Sequence, residues 1–204
     1  MTKNVLCFGD SNTFGYIAGS GERYSKDVRW TALLGELLGN GYKIFEGGCN
    51  NRACFVNHQD GEKFIGKEFV KKYSKYGIDL IVSAIGTNDL QKFYNPSIKE
   101  LEAGFEEYID VIRKNFNTKI LVVAPSIIKP SVLNCHFNYF FDKESIEKSK
   151  HLADIWKKVA DKKGCYYIDF RNKVNVSEID GLHYDKVSHR VIAEELAKAV
   201  RKVL

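Results

Sequence analysis

No stretch of this sequence approaches the roughly 20 consecutive apolar residues that a membrane-spanning helix requires, so a helical membrane protein is not expected and no membrane partner follows. Cysteine is sparse and scattered. Cys7, Cys49, Cys54, Cys135 and Cys165 are odd in number and include no C-x-x-C pair, which argues against a disulfide framework and against a structural zinc site. Reduced thiols in a cytoplasmic protein are the simpler expectation. An export signal is not expected either: the apolar run Val5-Leu6-Cys7-Phe8 is too short for a signal-peptide core, and no small-residue cleavage site follows it. With three prolines and no low-complexity tract, a disordered chain is not expected. The formal net charge of +5 is spread through segments such as Lys143 to Lys163, where lysines and acids alternate as on a solvated helix face. Basic clusters interleaved with exposed aromatics are lacking, which sets nucleic acid aside as a partner.

What remains is the composition of an ordinary globular chain. Its 204 residues, 44% hydrophobic and 28% charged, suit one domain spanning residues 1–204 with a core on both faces of a sheet. Short apolar runs at Val5 to Phe8, Tyr42 to Phe45, Asp79 to Ile85, Lys119 to Ala124 and Cys165 to Asp169 have the length of buried strands. Between and after them, Val28 to Leu38, Lys63 to Lys75, Ile98 to Asn115, Ser145 to Lys163 and Lys186 to Val203 carry apolar residues at three- and four-residue spacing, the period of amphipathic helices. Glycines at Gly39, Gly41 and Gly77 mark helix ends. Alternating strands and helices predict an α/β fold: a three-layer α/β/α, flavodoxin-like, doubly wound five-stranded parallel sheet. Such sheets bind ligands outside the carboxyl ends of their strands. The segments to inspect are therefore Gly9 to Thr13, Gly47 to Arg52, Gly86 to Asp89, Pro125 to Phe141 and the loop ending at Asp180 to His183.

Gly9-Asp10-Ser11-Asn12-Thr13 places a hydroxyl on a strand-to-helix turn. The segment departs from the G-x-S-x-G elbow because Thr13 stands where that motif has glycine. On its own the turn is equally compatible with local capping by Asp10, Ser11 and Asn12. A serine hydroxyl becomes nucleophilic only when a base takes its proton, and histidine titrates in the right range. Of His58, His136, His151, His183 and His189, only His183 has a carboxylate three residues earlier on the same loop, in Asp180-Gly181-Leu182-His183. That spacing lets Asp180 orient the imidazole from behind. His151 lies within a helix pattern and His189 in the last helix, where packing is the expected role; His58 and His136 lie in segments that could border the crevice, their roles open, as is that of Arg52. Oxyanion donors are expected from Gly47-Gly48, where no side chain would block a backbone N–H, and from the Asn88 amide in Gly86-Thr87-Asn88-Asp89. Asp10 and Asp89 read as braces of their own turns.

Taken together, a Ser turn, a Gly loop, a Gly-x-Asn-Asp turn and an Asp-x-x-His loop, each after a different strand, resemble the SGNH hydrolase superfamily, also known as GDSL esterases. Leu6 to Thr13, Asp27-Val28-Arg29-Trp30-Thr31, Asn51-Arg52 and the segment from Glu147 onward are similar to its arylesterase and acyltransferase branch. The chain departs from that branch at Asn12, where Leu is usual, at Phe14, where Trp is frequent, and at Gly47, where an acidic residue is common. The resemblance implies catalytic Ser11, Asp180 and His183, and an oxyanion hole of the Ser11 N–H, Gly48 and Asn88. It implies a serine esterase or acylhydrolase that cleaves or transfers small acyl groups such as acetyl through an acyl-enzyme, with a small-molecule ester as substrate and neither metal nor organic cofactor. Short insertions between strands leave little material for a lid. Phe14, Phe55, Phe137, Tyr139 and Phe140 are candidates to line the pocket. A carbohydrate acetylesterase using the same site is an alternative, and a flavodoxin-like anion-binding module is a second that would leave Asp180 and His183 without a task. The related branch often assembles into oligomers, so a homo-oligomer is one possible state.

Overall fold

The computed structural model describes residues 2–55 and 72–204. Its sheet consists of β1 (Lys3–Gly9), β2 (Tyr42–Gly48), β3 (Leu80–Ala84), β4 (Lys119–Val123) and β5 (Tyr166–Ile168) in the order β2-β1-β3-β4-β5. All four pairings are parallel, which is the flavodoxin-like doubly wound arrangement anticipated from the alternation of strand and helix patterns. Among the described residues the α-helices are α1 (Ser11–Phe14), α2 (Trp30–Leu38), α3 (Ile98–Asn115), α4 (Lys143–Lys162) and α5 (Lys186–Val203). Of the helix expected over Lys63 to Lys75, only residues 72–75 are described, and Ser74–Tyr76 forms a 3₁₀ turn. His58 also lies outside the described residues.

Strand periodicity divides the core into two layers. Leu6, Phe8, Ile81, Ile120 and Val122 face α3 and α4, where Phe105 and Trp156 pack. Val5, Cys7, Leu80, Val82 and Leu121 face the opposite way, toward α2 and α5. Successive side chains of a strand point to opposite faces, so a strand that reads as continuously apolar must be covered on both. Caps account for the helix starts that differ from the periodic pattern. α4 begins two residues early because Asp142 accepts the Ser145 N–H while the Ser145 hydroxyl answers to the Asp142 backbone, a reciprocal capping box. α2 begins two residues late because Ser25 takes the N–H groups of Val28 and Arg29 into a turn.

The chain leaves β1 for β2 on one side, while β3 lies on the other, so the crevice opens where β1 and β3 end. Ser11 follows β1 and Asn88 follows β3, and the topology thus brings these two segments to one spot. The five cysteines are all unpaired, and no described helix is long and apolar enough to cross a membrane.

Candidate active site

The turn after β1 is organised by Asp10. Its carboxylate accepts the Asn12 N–H at 2.9 Å, and its carbonyl accepts those of Thr13 and Phe14. Ser11 is thereby the first residue of α1, where the backbone N–H points out of the helix rather than back into it. Asp10 acts as the brace expected of it, at an electrostatic cost: burial raises its carboxyl to about 6 despite the Asn12 hydrogen bond and the nearby His183 and Arg52. The folded state therefore holds this proton more tightly than the unfolded chain does, and stability falls as pH rises from about 4 to about 6. Asp10→Asn keeps a capping acceptor without the charge and should recover about 2–3 kcal/mol above pH 7. Thermal unfolding should show a higher Tm for the variant at pH 8 and a shrinking difference below pH 5; equal melting curves at pH 8 would refute the account.

The loop before α5 carries the partner residues. It closes on itself through Ser177 N–H to the His183 carbonyl at 2.7 Å and Gly181 N–H to the Ser177 carbonyl at 2.9 Å. One oxygen of Asp180 accepts the N–H groups of Leu182 and His183, each at 3.0 Å, and the other receives His183 Nδ1 at 2.7 Å. Burial would raise this carboxyl, but the imidazole and these two backbone donors outweigh it and hold Asp180 below the usual carboxylate range. An ionised carboxylate only accepts, so Nδ1 bears the proton and Nε2 is left as acceptor. Nε2 lies 2.8 Å from Ser11 Oγ. Tyr16 stacks on the imidazole with ring centroids 4.2 Å apart, and Phe137 approaches at 5.3 Å, shielding the histidine from solvent.

The third segment follows β3. Asn88 sits in a 3₁₀ turn with its Oδ1 accepting from Gln91 Nε2 at 3.0 Å and its Nδ2 donating to the Arg52 carbonyl at 3.0 Å. These two bonds fix which way the amide faces and leave its second N–H for the cavity. Gln91 also donates to Asn51, tying the turn after β3 to the segment after β2. Gly86, at φ 137°, is required here because a Cβ would lie 2.7 Å from the Trp156 ring.

Gly47 and Gly48, expected in a loop, are instead the end of β2, paired with Phe8 and Gly9. A Cβ on Gly48 would stand 2.2 Å from the Phe14 backbone nitrogen, so its missing side chain admits α1 against the sheet. The cavity wall on that side is Asn50 and Asn51, two and three residues further on, with Asn51 at φ 60°. Arg52, left open by the sequence, is buried and clamps the ends of β1 and β2 by donating to the carbonyls of Gly9, at 2.8 Å, and Gly47, its guanidinium lying 4.1 Å from the Phe8 ring centroid. Asp89 braces the exit from β2, accepting the N–H groups of Cys54 at 2.7 Å and Phe55 at 3.1 Å.

These segments enclose a cavity of about 210 Å³ with Ser11 and His183 on its wall. Its lining includes the amides of Asn50, Asn51, Asn88 and Gln91 together with the rings of Tyr16, Phe137, Phe140 and Phe141. Of the aromatics expected there, Phe137 and Phe140 are in place. Phe14 instead lies under Arg23, Phe55 covers Gly104, and Tyr139 is 64% exposed beside Phe93. The connection from β4 to α4, with two 3₁₀ turns at Pro130–Asn134 and His136–Tyr139, supplies Phe137, Phe140 and Phe141, so the site has more cover than short insertions suggested. His136 packs on Phe137 outside the cavity. His189 is fully buried, pushed down to about 4 by that burial, and accepts the Trp30 N–H at 3.3 Å, while His151 is exposed on α4. Tyr16, Gln91 and Phe141 were not singled out from sequence. Gln91 had a signal, since residues three apart align along a 3₁₀ turn and Asn88 was already suspected.

The architecture recurs in proteins of known structure. A carbohydrate acetylesterase from Sinorhizobium meliloti superposes with a TM-score of 0.87 at 26% identity, covering 100% of both chains. The inhibitor-bound M. smegmatis aryl esterase gives 0.88 at 23% identity, again over 100% of both. A lipase/acylhydrolase from Enterococcus faecalis gives 0.69 at 16% identity, over 98% of this chain and 96% of the other. No curated protein matches the sequence. The profile of the GDSL-like lipase/acylhydrolase family matches residues 7–191, a span that takes in the Ser turn, the Asn88 turn and the histidine loop. With the sheet order, the crevice and this match in agreement, the chain belongs to the GDSL-like lipase/acylhydrolase family and is a serine ester hydrolase of the SGNH type.

Proposed function

We propose that the protein cleaves small acyl groups, such as acetyl, from esters through an acyl-enzyme on Ser11, or transfers them when an alcohol replaces water. The observation that carries this reading is the unbroken chain from Ser11 Oγ to His183 Nε2 at 2.8 Å and from His183 Nδ1 to Asp180 at 2.7 Å, opening on one cavity. His183 takes the hydroxyl proton as Ser11 Oγ bonds to the ester carbonyl carbon, and Asp180 stabilises the imidazolium that forms. The Ser11 N–H and the Asn88 amide face the developing oxyanion, each effective donor contributing about 3–4 kcal/mol to the transition state. The Asn50–Asn51 segment takes the place expected of Gly48 as the third edge. The imidazolium then protonates the departing alkoxide, and water attacks the acyl-enzyme by the same route.

Cavity size supports a short acyl group. A void of roughly 150 Å³ accommodates benzene, so about 210 Å³ suits an acetyl group with part of its alcohol and not a long fatty chain. Hydrolysis of p-nitrophenyl acetate should exceed that of the decanoate by about 100-fold or more in kcat/KM, a discrimination of about 3 kcal/mol, within what a single misfitting methylene can cost. A fluorophosphonate should label Ser11 and no other residue, as mapped by peptide mass spectrometry. Absence of that label, or a preference for decanoate, would overturn the reading.

A lining that combines amide side chains with aromatic rings favours a second reading, in which the alcohol is a sugar. Rings stack on the apolar face of a pyranose while amides meet its hydroxyls. Faster release of acetate from acetylated monosaccharides than from ethyl acetate would favour it.

A further inference from the structure

Asn12 stands directly after the nucleophile of the reading above, on which this inference rests, and all of its polar groups are used within the protein. Its backbone N–H goes to Asp10, and its carbonyl receives Trp30 Nε1 at 3.1 Å. Its side chain reaches across 170 residues of sequence to the histidine loop: Nδ2 donates to the Leu182 carbonyl at 3.0 Å, and Oδ1 accepts the Tyr184 N–H at 3.0 Å. These two backbone groups flank His183 on either side. We propose that Asn12 is a positioning residue, a two-point latch that sets the separation of Ser11 Oγ and His183 Nε2 by joining the nucleophile turn to the backbone on both sides of the base.

Among the described residues, the hydrogen bonds between the two parts are the Ser11–His183 bond and the two made by the Asn12 side chain, with the stacking of Tyr16 on the imidazole as an apolar contact beside them. Within the histidine loop, Asp180 fixes the imidazole relative to its own backbone, and the antiparallel bridge of Val176 with Tyr184 fixes the loop relative to itself. Neither fixes it relative to Ser11. The direct Ser11–His183 hydrogen bond cannot hold the register either, because it is broken and remade in each turnover. An amide suits the latch because one side chain offers both a donor and an acceptor, matching a carbonyl and an N–H two residues apart. Leucine, usual at this place in the similar branch, has the volume and neither bond. Asn12 borders the cavity, but its Oδ1 and one of its Nδ2 hydrogens are committed to the backbone on either side of His183, and the effect argued for it passes through that residue.

Asn12→Leu should lower kcat for p-nitrophenyl acetate by about 10- to 100-fold, as expected for a displacement approaching 1 Å between reacting groups, with KM within about twofold of wild type. The rate of Ser11 phosphonylation by a fluorophosphonate, measured in a single turnover well below Tm, should fall in parallel. Asn12→Asp keeps the acceptor for Tyr184 and replaces the donor, and should fall between wild type and leucine; it also serves if leucine prevents folding. Wild-type kcat and phosphonylation rate in either folded variant would overturn the latch, as would a loss confined to KM or to Tm. Ser11→Ala run alongside separates the two ideas: unchanged hydrolysis there would sink the nucleophile reading, whereas a latch failure leaves Ser11→Ala inactive and the Asn12 variants fast.

Discussion

Ser11→Ala and His183→Ala should each reduce kcat for p-nitrophenyl acetate by about 10⁵- to 10⁶-fold, and the double variant should be no slower than either single one. Groups that act as one unit are not additive, because a base without a nucleophile and a nucleophile without a base are equally idle. Asp180→Asn should cost less, about 10⁴-fold. In the native loop Asp180 accepts from His183 Nδ1 and from two backbone N–H groups. Asparagine can still take the backbone donors through its oxygen. Toward His183 it would then present an amide N–H, which turns the imidazole to the tautomer whose Nε2 carries a proton and cannot accept one from Ser11. The residual rate in each variant comes from binding and from the Ser11 N–H and Asn88 donors, so it should still exceed the rate in buffer. Multiplying losses in the double variant, or a mild loss in His183→Ala, would mean that the base is another residue.

How much of this was legible in the residues follows from the range of the interaction concerned. The sheet order and its two covered faces could be read because strand and helix periods are local, and because parallel connections restrict topology. The Asp180–His183 pair was legible for the same reason: both residues lie on one loop, three positions apart. The close packing of Gly48 was not legible, because a glycine gives the same signal whether it admits a ligand or another piece of backbone, and here the atom nearest an added Cβ belongs to Phe14, 34 residues away in sequence. Asp89 and Arg52 escaped for that reason as well: the carboxylate caps the exit of β2 from the far side of the crevice, and the guanidinium finds carbonyls at the ends of two strands. Asn12 was visible only as a departure from a family pattern. Its partners, Leu182 and Tyr184, are joined to it by the fold alone.

Trp156→Ala should be the most damaging core substitution away from the cavity, lowering stability by about 3–5 kcal/mol. The indole is fully buried, lies parallel to Phe105 with ring centroids 4.0 Å apart, and donates Nε1–H to the Ile85 carbonyl at 2.9 Å. Truncation empties a large volume between α3 and α4 and leaves that carbonyl without its donor. For a chain of 204 residues, each kcal/mol lowers Tm by about 2–4 °C, so a drop of about 10 °C is expected. Trp156→Phe restores most of the volume but not the N–H, and its cost should be nearer the 1–3 kcal/mol of one unmet buried group. Activity should also respond, because the same ring backs Gly86, the residue from which the Asn88 turn departs. With that support gone the amide facing the cavity loses its fixed position, and kcat should fall at temperatures where the variant is still folded. A Trp156→Ala protein with an unchanged kcat would mean that Gln91 and Arg52 alone hold Asn88 in place.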